Sequence, residues 1–182
     1  PLKQLSMAKL FPSIGFALLK ENIAISTGNF IFTRRLLDKV GGFISLKGCH
    51  DWDFILRSTL YTEPLLVKKV LYYYRLHETN AVRSVHYLAN TEIEILRRRF
   101  FRAVNMMKPP NPLCPSPQNW PGFFEWFLKK NNLWSYWVRE AGEKESYWRV
   151  YDKDEEASAG FVSVVRDLYE KLKEFKVKGT KA

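Results

Sequence analysis

Six of the chain's nine prolines fall between Lys108 and Pro121, in the run KPPNPLCPSPQNWP. No other feature limits the fold as strongly. Proline lacks a backbone N–H and clashes with the preceding helical turn, so the run excludes a helix interior and a central strand. It reads as an extended linker. What lies on its two sides differs in pattern. Residues 1–80 alternate helix-like and strand-like signals, and residues 81–182 read as a mostly helical extension with the linker at 108–121 inside it.

Composition narrows the class. Of 182 residues 46% are hydrophobic and 15% aromatic, which supplies enough apolar side chain to bury a core and excludes a disordered or low-complexity chain. Two cysteines, Cys49 and Cys114, are too few for a disulfide framework, so a reducing compartment is expected. The longest apolar patch, Leu10 to Leu19, is interrupted by Pro12, Ser13 and Gly15 and falls short of the roughly 18 apolar residues of a membrane helix. No charged segment followed by an apolar core marks a signal peptide. The first residues, PLKQLSMAKL, do not begin with Met, and a chain missing its front part is expected. A net charge of +10 suits an anionic partner, or simply a solvated basic surface.

Along the first part, residues 7–20 read as a helix or an irregular apolar segment. Asn22 to Ser26 alternates and is rich in Ile, which predicts a short strand. Phe32 to Val40 has helical spacing, with Thr33 as N-cap and Gly41-Gly42 as the stop. HDWDFILRSTLY predicts a second helix, with Asp51 and Asp53 in its first turn, where acidic groups meet the positive helix end. EPLLVKKVLYYYRLH, from Glu63 to His77, reads as strand material. This alternation predicts an α/β layer. Beyond residue 80, Ala81 to Met107 is expected as one long helix, followed after the linker by short aromatic helices at Gly122–Asn131 and Leu133–Gly142. A final amphipathic helix is expected over Ala157–Phe175.

Three stretches carry the functional signal: STGNFIFTRRLLDKVGGF (Ser26 to Phe43), CHDWDFILR (Cys49 to Arg57) and YYYRLHETN (Tyr72 to Asn80). Their order and spacing over about residues 22–83 resemble the C-terminal half of the catalytic domain of family-2 inverting glycosyltransferases. The resemblance implies the C-terminal part of a GT-A fold, the nucleotide-diphospho-sugar transferase fold. It implies a nucleotide-diphosphate sugar donor and a saccharide or lipid-linked glycan hydroxyl as acceptor. Asp51 falls where that family places its general base. His50 stands where the family more often has Glu. His77 matches a histidine that helps hold a divalent cation, Mn²⁺ or Mg²⁺, and Gly28 and Asn29 match the loop lining the cleft. Trp52, Asp53 and Arg75 are the further substrate-binding candidates. The resemblance also implies a nucleotide-binding half upstream that this chain does not contain, so the polypeptide alone is expected not to transfer sugar. A cytoplasmic place is expected, with peripheral contact at the inner face of the membrane as an option, and no nucleic acid is expected as partner.

Elementary chemistry agrees with those roles. A sugar hydroxyl is a poor nucleophile at neutral pH, and a carboxylate within hydrogen-bond reach contributes about 10²–10⁴-fold as general base. Simpler readings stand beside each residue. Asp51 could only cap backbone N–H groups, and His77 could only bond a neighbour. Asp53 could pair with Arg57 one helical turn on, and Arg75 with an acidic residue. Asp51-Trp52-Asp53 is not read as a metal-binding Asp-x-Asp, because loop-like SLKGCH precedes it rather than an apolar strand. Cys49-His50-Asp51 is not read as a metal site, since three consecutive residues cannot all face one ion. Asp152-Lys153-Asp154 reads as a solvated surface run. Arg97 to Arg102 could touch nucleic acid or anionic lipid, or be the wet side of a helix. Tryptophans 120, 126, 134, 137 and 148 could form a carbohydrate platform or a small core. The alternative to a transferase is a non-catalytic basic module binding nucleic acid or an anionic membrane surface.

Overall fold

A computed structural model describes residue 8 and residues 10–67, 69–73 and 89–141. The chain divides into a compact unit of residues 1–142 and a second of residues 143–182. The second unit lies outside the described residues. So do the expected helix at Ala157–Phe175, the run Asp152-Lys153-Asp154, Trp148, and the two candidates Arg75 and His77.

Six α-helices are described: α1 (Ile14–Lys20), α2 (Arg34–Val40), α3 (His50–Ser58), α4 (Ala89–Met106), α5 (Phe123–Lys130) and α6 (Trp134–Ala141). A single 3₁₀ turn, Thr27–Asn29, sits between α1 and α2. Among the described residues there is no strand. This overturns the expected α/β architecture, the GT-A fold included.

The strand signals fail for separate physical reasons. At Asn22–Ser26, the Asn22 side chain accepts the N–H groups of Ala24 and Ile25, both at 3.1 Å, and turns the chain before a ladder can start. In the second run, the described residues up to Tyr73 pair with no neighbouring strand, and apolar side chains such as Leu65 (90% exposed) and Tyr73 (86% exposed) stay uncovered. β-branched and aromatic content measures fit to a pleated surface, and such a surface needs a neighbour.

The helices follow their sequence signals closely. Thr33 Oγ1 accepts the Leu36 N–H at 3.2 Å, and Gly41 ends α2 in the left-handed region at φ 83°, as a C-terminal glycine does. In α4, Glu92, Leu96, Phe100 and Val104 recur every four residues and form one buried stripe.

The proline-rich run is a packed element rather than an extended linker. Pro109, Asn111, Cys114, Pro115 and Ser116 are buried. Asn111 Nδ2 donates to Thr59 O at 2.8 Å, and its N–H donates to Leu60 O at 3.1 Å, which ties the run to the end of α3. A Cβ on Gly15 would stand 2.5 Å from the Pro115 ring, so α1 lies against this run at a distance that only glycine permits. Residues from both sides of position 80 thus share one core. Phe16 anchors it, with edge-on contacts to Trp120, Phe123 and Phe127 at 5.3, 5.1 and 4.7 Å between ring centroids. Phe101, Phe124 and Trp137 continue it between α4, α5 and α6. Fully buried aromatics of this kind supply most of the apolar area that holds a small domain together.

Candidate functional site around Asp51

The helix bearing Asp51 begins without a side-chain cap of its own. Its N-cap residue is Cys49, whose side chain makes no cap bond. The missing acceptor comes from α4. Glu92 Oε1 accepts the Lys47 N–H at 2.7 Å, and Oε2 accepts the N–H groups of Gly48 at 2.8 Å and Cys49 at 3.0 Å. Burial pushes the Glu92 carboxyl up, but the three backbone donors outweigh it and hold the group below the usual glutamate range. A carboxylate here also meets the positive end of α3.

Asp51 is only 6% exposed. Its Oδ1 accepts the Trp52 N–H at 2.6 Å and the Asn22 Nδ2 at 3.5 Å. Burial raises its carboxyl above the ordinary aspartate range, against the lowering effects of the Trp52 N–H and of His50. Raised basicity is what general-base work asks of a carboxylate. Burial also raises the neighbouring Cys49 thiol, to about 11, with the charges of Glu92 and Asp51 adding to it. That keeps the sulfur protonated and unreactive.

The first stretch reaches this helix through Arg57, and the third touches the first at Gly28. Asn22 opens the loop that leads to Gly28 and Asn29, both exposed in the 3₁₀ turn. Asn29 Nδ2 donates to Ala24 O at 2.9 Å. Between them Ile25 sits at φ 68°, a left-handed conformation costly for a β-branched residue and often found at functional loops. A Cβ on Gly28 would meet the Tyr72 ring at 2.6 Å, so Tyr72, at the start of the third stretch, lies directly against this loop. Arg57 binds the end of the first stretch, donating to Val40 O at 2.5 Å and Gly42 O at 2.8 Å. Phe30, Phe32 and Phe43 gather around the buried Phe54 ring. Asn22 thus touches Asp51 from the loop that leads to Gly28 and Asn29, and Tyr72 touches Gly28; no contact of Gly28, Asn29 or Tyr72 with Asp51 itself is seen among the described residues.

Two other candidates are engaged inside the protein. Trp52 Nε1 donates to Leu18 O at 2.6 Å, and the Arg97 guanidinium lies 5.6 Å over its ring. Asp53, 1% exposed, pairs with Arg57 at 2.5 Å and stands 3.6 Å from Arg99. These contacts fasten α3 to α1, α2 and α4.

The basic run on α4 is similarly occupied. Arg97 donates to Lys20 O at 2.7 Å, at the C-terminal end of α1. Arg98 and Arg102 converge on Glu140 at 2.6 and 2.9 Å. Burial works to raise the Glu140 carboxyl, and the two arginines hold it low. The run is thus neither a free basic patch nor only the wet side of a helix: three of its arginines bond partners within the fold, while Phe100 and Phe101 pack inward. Of the described tryptophans, Trp120 and Trp137 are buried in the aromatic core, while Trp126 is 45% exposed beside Phe123. Among the described residues no group of three or more His, Cys, Asp or Glu is placed to hold a metal ion, and no helix is long and apolar enough to cross a membrane. The described residues thus offer no donor set for the divalent cation that the resemblance implies.

Two residues of this site escaped the sequence reading. Asn22 was absorbed into an expected strand, although an Asn before a turn often bonds the backbone two residues on. Glu92 carried a clearer signal: a carboxylate in step with Leu96, Phe100 and Val104 occupies a buried register position and needs donors there. No family model, curated protein or solved structure matches this chain.

Proposed function

We propose that this chain supplies the acceptor-activating carboxylate of a glycosyl-transfer reaction, with Asp51 as general base. The observation that carries the reading is a buried carboxylate in the second stretch that is bonded from the loop opening the first, while the third stretch touches that loop. Asn22 bonds Asp51 at 3.5 Å, and Tyr72 packs on Gly28 of the same loop. The order of those stretches is what gave the resemblance to inverting transferases. In the reaction, Asp51 takes the proton of a saccharide or lipid-linked glycan hydroxyl. The freed oxygen lone pair forms the bond to the anomeric carbon, and the bond from that carbon to the nucleoside diphosphate breaks on the opposite face, inverting the configuration. The nucleoside diphosphate carries off the electron pair.

The Asn22 contact is the one that must yield. At 3.5 Å it sits at the outer limit of a hydrogen bond, while Trp52 N–H holds the same oxygen at 2.6 Å. An acceptor hydroxyl replacing the Asn22 amide would meet a carboxylate already aimed by the helix backbone. Trp52 and Asp53 support the turn from behind. The expected cytoplasmic place, where nucleotide sugars and a reduced Cys49 and Cys114 are compatible, belongs to the same proposal.

The test is sugar transfer by the protein that carries this chain, assayed with UDP-glucose, UDP-N-acetylglucosamine and GDP-mannose through nucleoside-diphosphate release. Asp51→Asn should lower turnover about 10²–10⁴-fold with unchanged far-ultraviolet circular dichroism. Full turnover in a folded Asp51→Asn variant removes Asp51 from the reaction.

A further inference from the structure

We infer that Glu92 is a positioning residue for Asp51: by gripping the N–H groups of Lys47, Gly48 and Cys49 it fixes the approach to α3 and so sets where the Asp51 carboxylate stands. The functional meaning of this inference rests on the transferase reading, but its geometry does not. Three donors on consecutive residues at 2.7, 2.8 and 3.0 Å meet a single carboxylate. Asp51 lies two residues beyond the last of them, in the first turn of the helix they introduce.

Nothing local does this work. The Cys49 side chain makes no cap bond, and the Asp51 carboxylate bonds its own neighbour Trp52 rather than the residues before the helix. The grip comes from 43–45 residues away along the chain. Glu92 is itself held by the α4 stripe that continues through Leu96, Phe100 and Val104 into the core. One helical face thus links the aromatic core to the start of α3. A second link runs parallel to it, since Arg99, seven residues along α4 from Glu92, stands 3.6 Å from Asp53. Arg99 adds a longer ion pair to Asp53, and Glu92 grips the residues leading into α3 through three charge-assisted hydrogen bonds. Charge-assisted bonds of this kind resist displacement about twice as strongly as neutral ones.

A purely structural Glu92 would change stability and nothing else. A positioning Glu92 changes the Asn22–Asp51 contact, in which it takes no direct part. The experiment is nuclear magnetic resonance of the folded protein with Glu92→Gln and Glu92→Ala. The Lys47, Gly48 and Cys49 amide signals, expected far downfield in the wild type, should move upfield in both variants, and the Asn22 side-chain amide signals should shift with them. In the transfer assay kcat should fall at least tenfold while the donor KM stays within about twofold. The loss should be smaller for Glu92→Gln, which keeps one acceptor oxygen. A folded variant that has lost the three downfield amides but keeps the wild-type Asn22 signals overturns the inference. If Glu92→Ala does not fold, Glu92→Gln alone decides on the same signals. If the Asn22 signals respond but the wild-type protein transfers no sugar, the positioning role stands and the transferase reading falls.

Discussion

The aromatic region and the loop-rich region of the first unit are held in different ways. Around Phe16, Trp120, Phe124 and Trp137, rings meet rings edge-on, and the proline-rich run packs among them. Around α3, polar side chains reach far along the sequence: Arg57 donates to the Val40 carbonyl, Glu92 accepts the Gly48 N–H, and Asn22 donates to the Asp51 carboxylate. The apolar burial that drives ring packing is non-directional. Carboxylate and guanidinium contacts fix angles and positions. The difference teaches which region is scaffold and which is suited to chemistry. α4 belongs to both, with Phe100 and Phe101 in the core and Glu92 and Arg99 at α3.

The largest effect should come from the scaffold. Phe16→Ala removes a ring in contact with three others and should cost about 3–5 kcal/mol in a denaturant titration. A loss below about 1 kcal/mol would mean that the aromatic region is not the core. Next comes the polar region. Arg57→Met strands the buried Asp53 and frees the Val40 and Gly42 carbonyls, and should cost about 3 kcal/mol. Adding Asp53→Leu should return part of that loss. A double variant no more stable than the single one breaks the claim that Asp53 is the group left stranded. Gly15→Ala sets Ala's better helix propensity against the Pro115 ring, and the clash should win by about 1–2 kcal/mol. Stabilisation there would show that α1 and the proline-rich run have room to part. Smallest, and opposite in sign, is Asp51→Asn. Burial raises the folded-state pKa of Asp51, so its ionised form opposes folding at neutral pH. The substitution should raise stability slightly at pH 7, and the gain should vanish as the pH falls through the raised pKa into the range where wild-type Asp51 is protonated. A melting temperature lowered at pH 7 would contradict this.

The helices were legible because their signals are local. Thr33, Gly41, the first-turn acids of α3 and the Asp53–Arg57 spacing act within a turn or two, and each does in the fold what its position suggested. The sheet was misread because strand signals are conditional on a neighbour, and among the described residues Asn22–Ser26 and Glu63–Tyr73 have none. The proline-rich run was misread for a related reason. Proline content excludes helix and central strand, but it does not exclude burial once Asn111 and Asn119 supply hydrogen bonds to the backbone. Asp51 was legible as a residue, but not its setting, because Asn22 and Glu92 reach it across 29 and, through Cys49, 43 positions. The expected role of His77 lies outside the described residues.

The account stands or falls on Asp51 ionising in the course of sugar transfer. The direct measurement is the pH dependence of kcat/KM for the protein carrying this chain, wild type against Asp51→Asn. The account predicts a wild-type rate that falls on acidification with a midpoint above the ordinary aspartate value of about 3.9, and an Asp51→Asn rate that is low and lacks this acid limb. An Asp51→Asn profile with the same limb at the same height contradicts it.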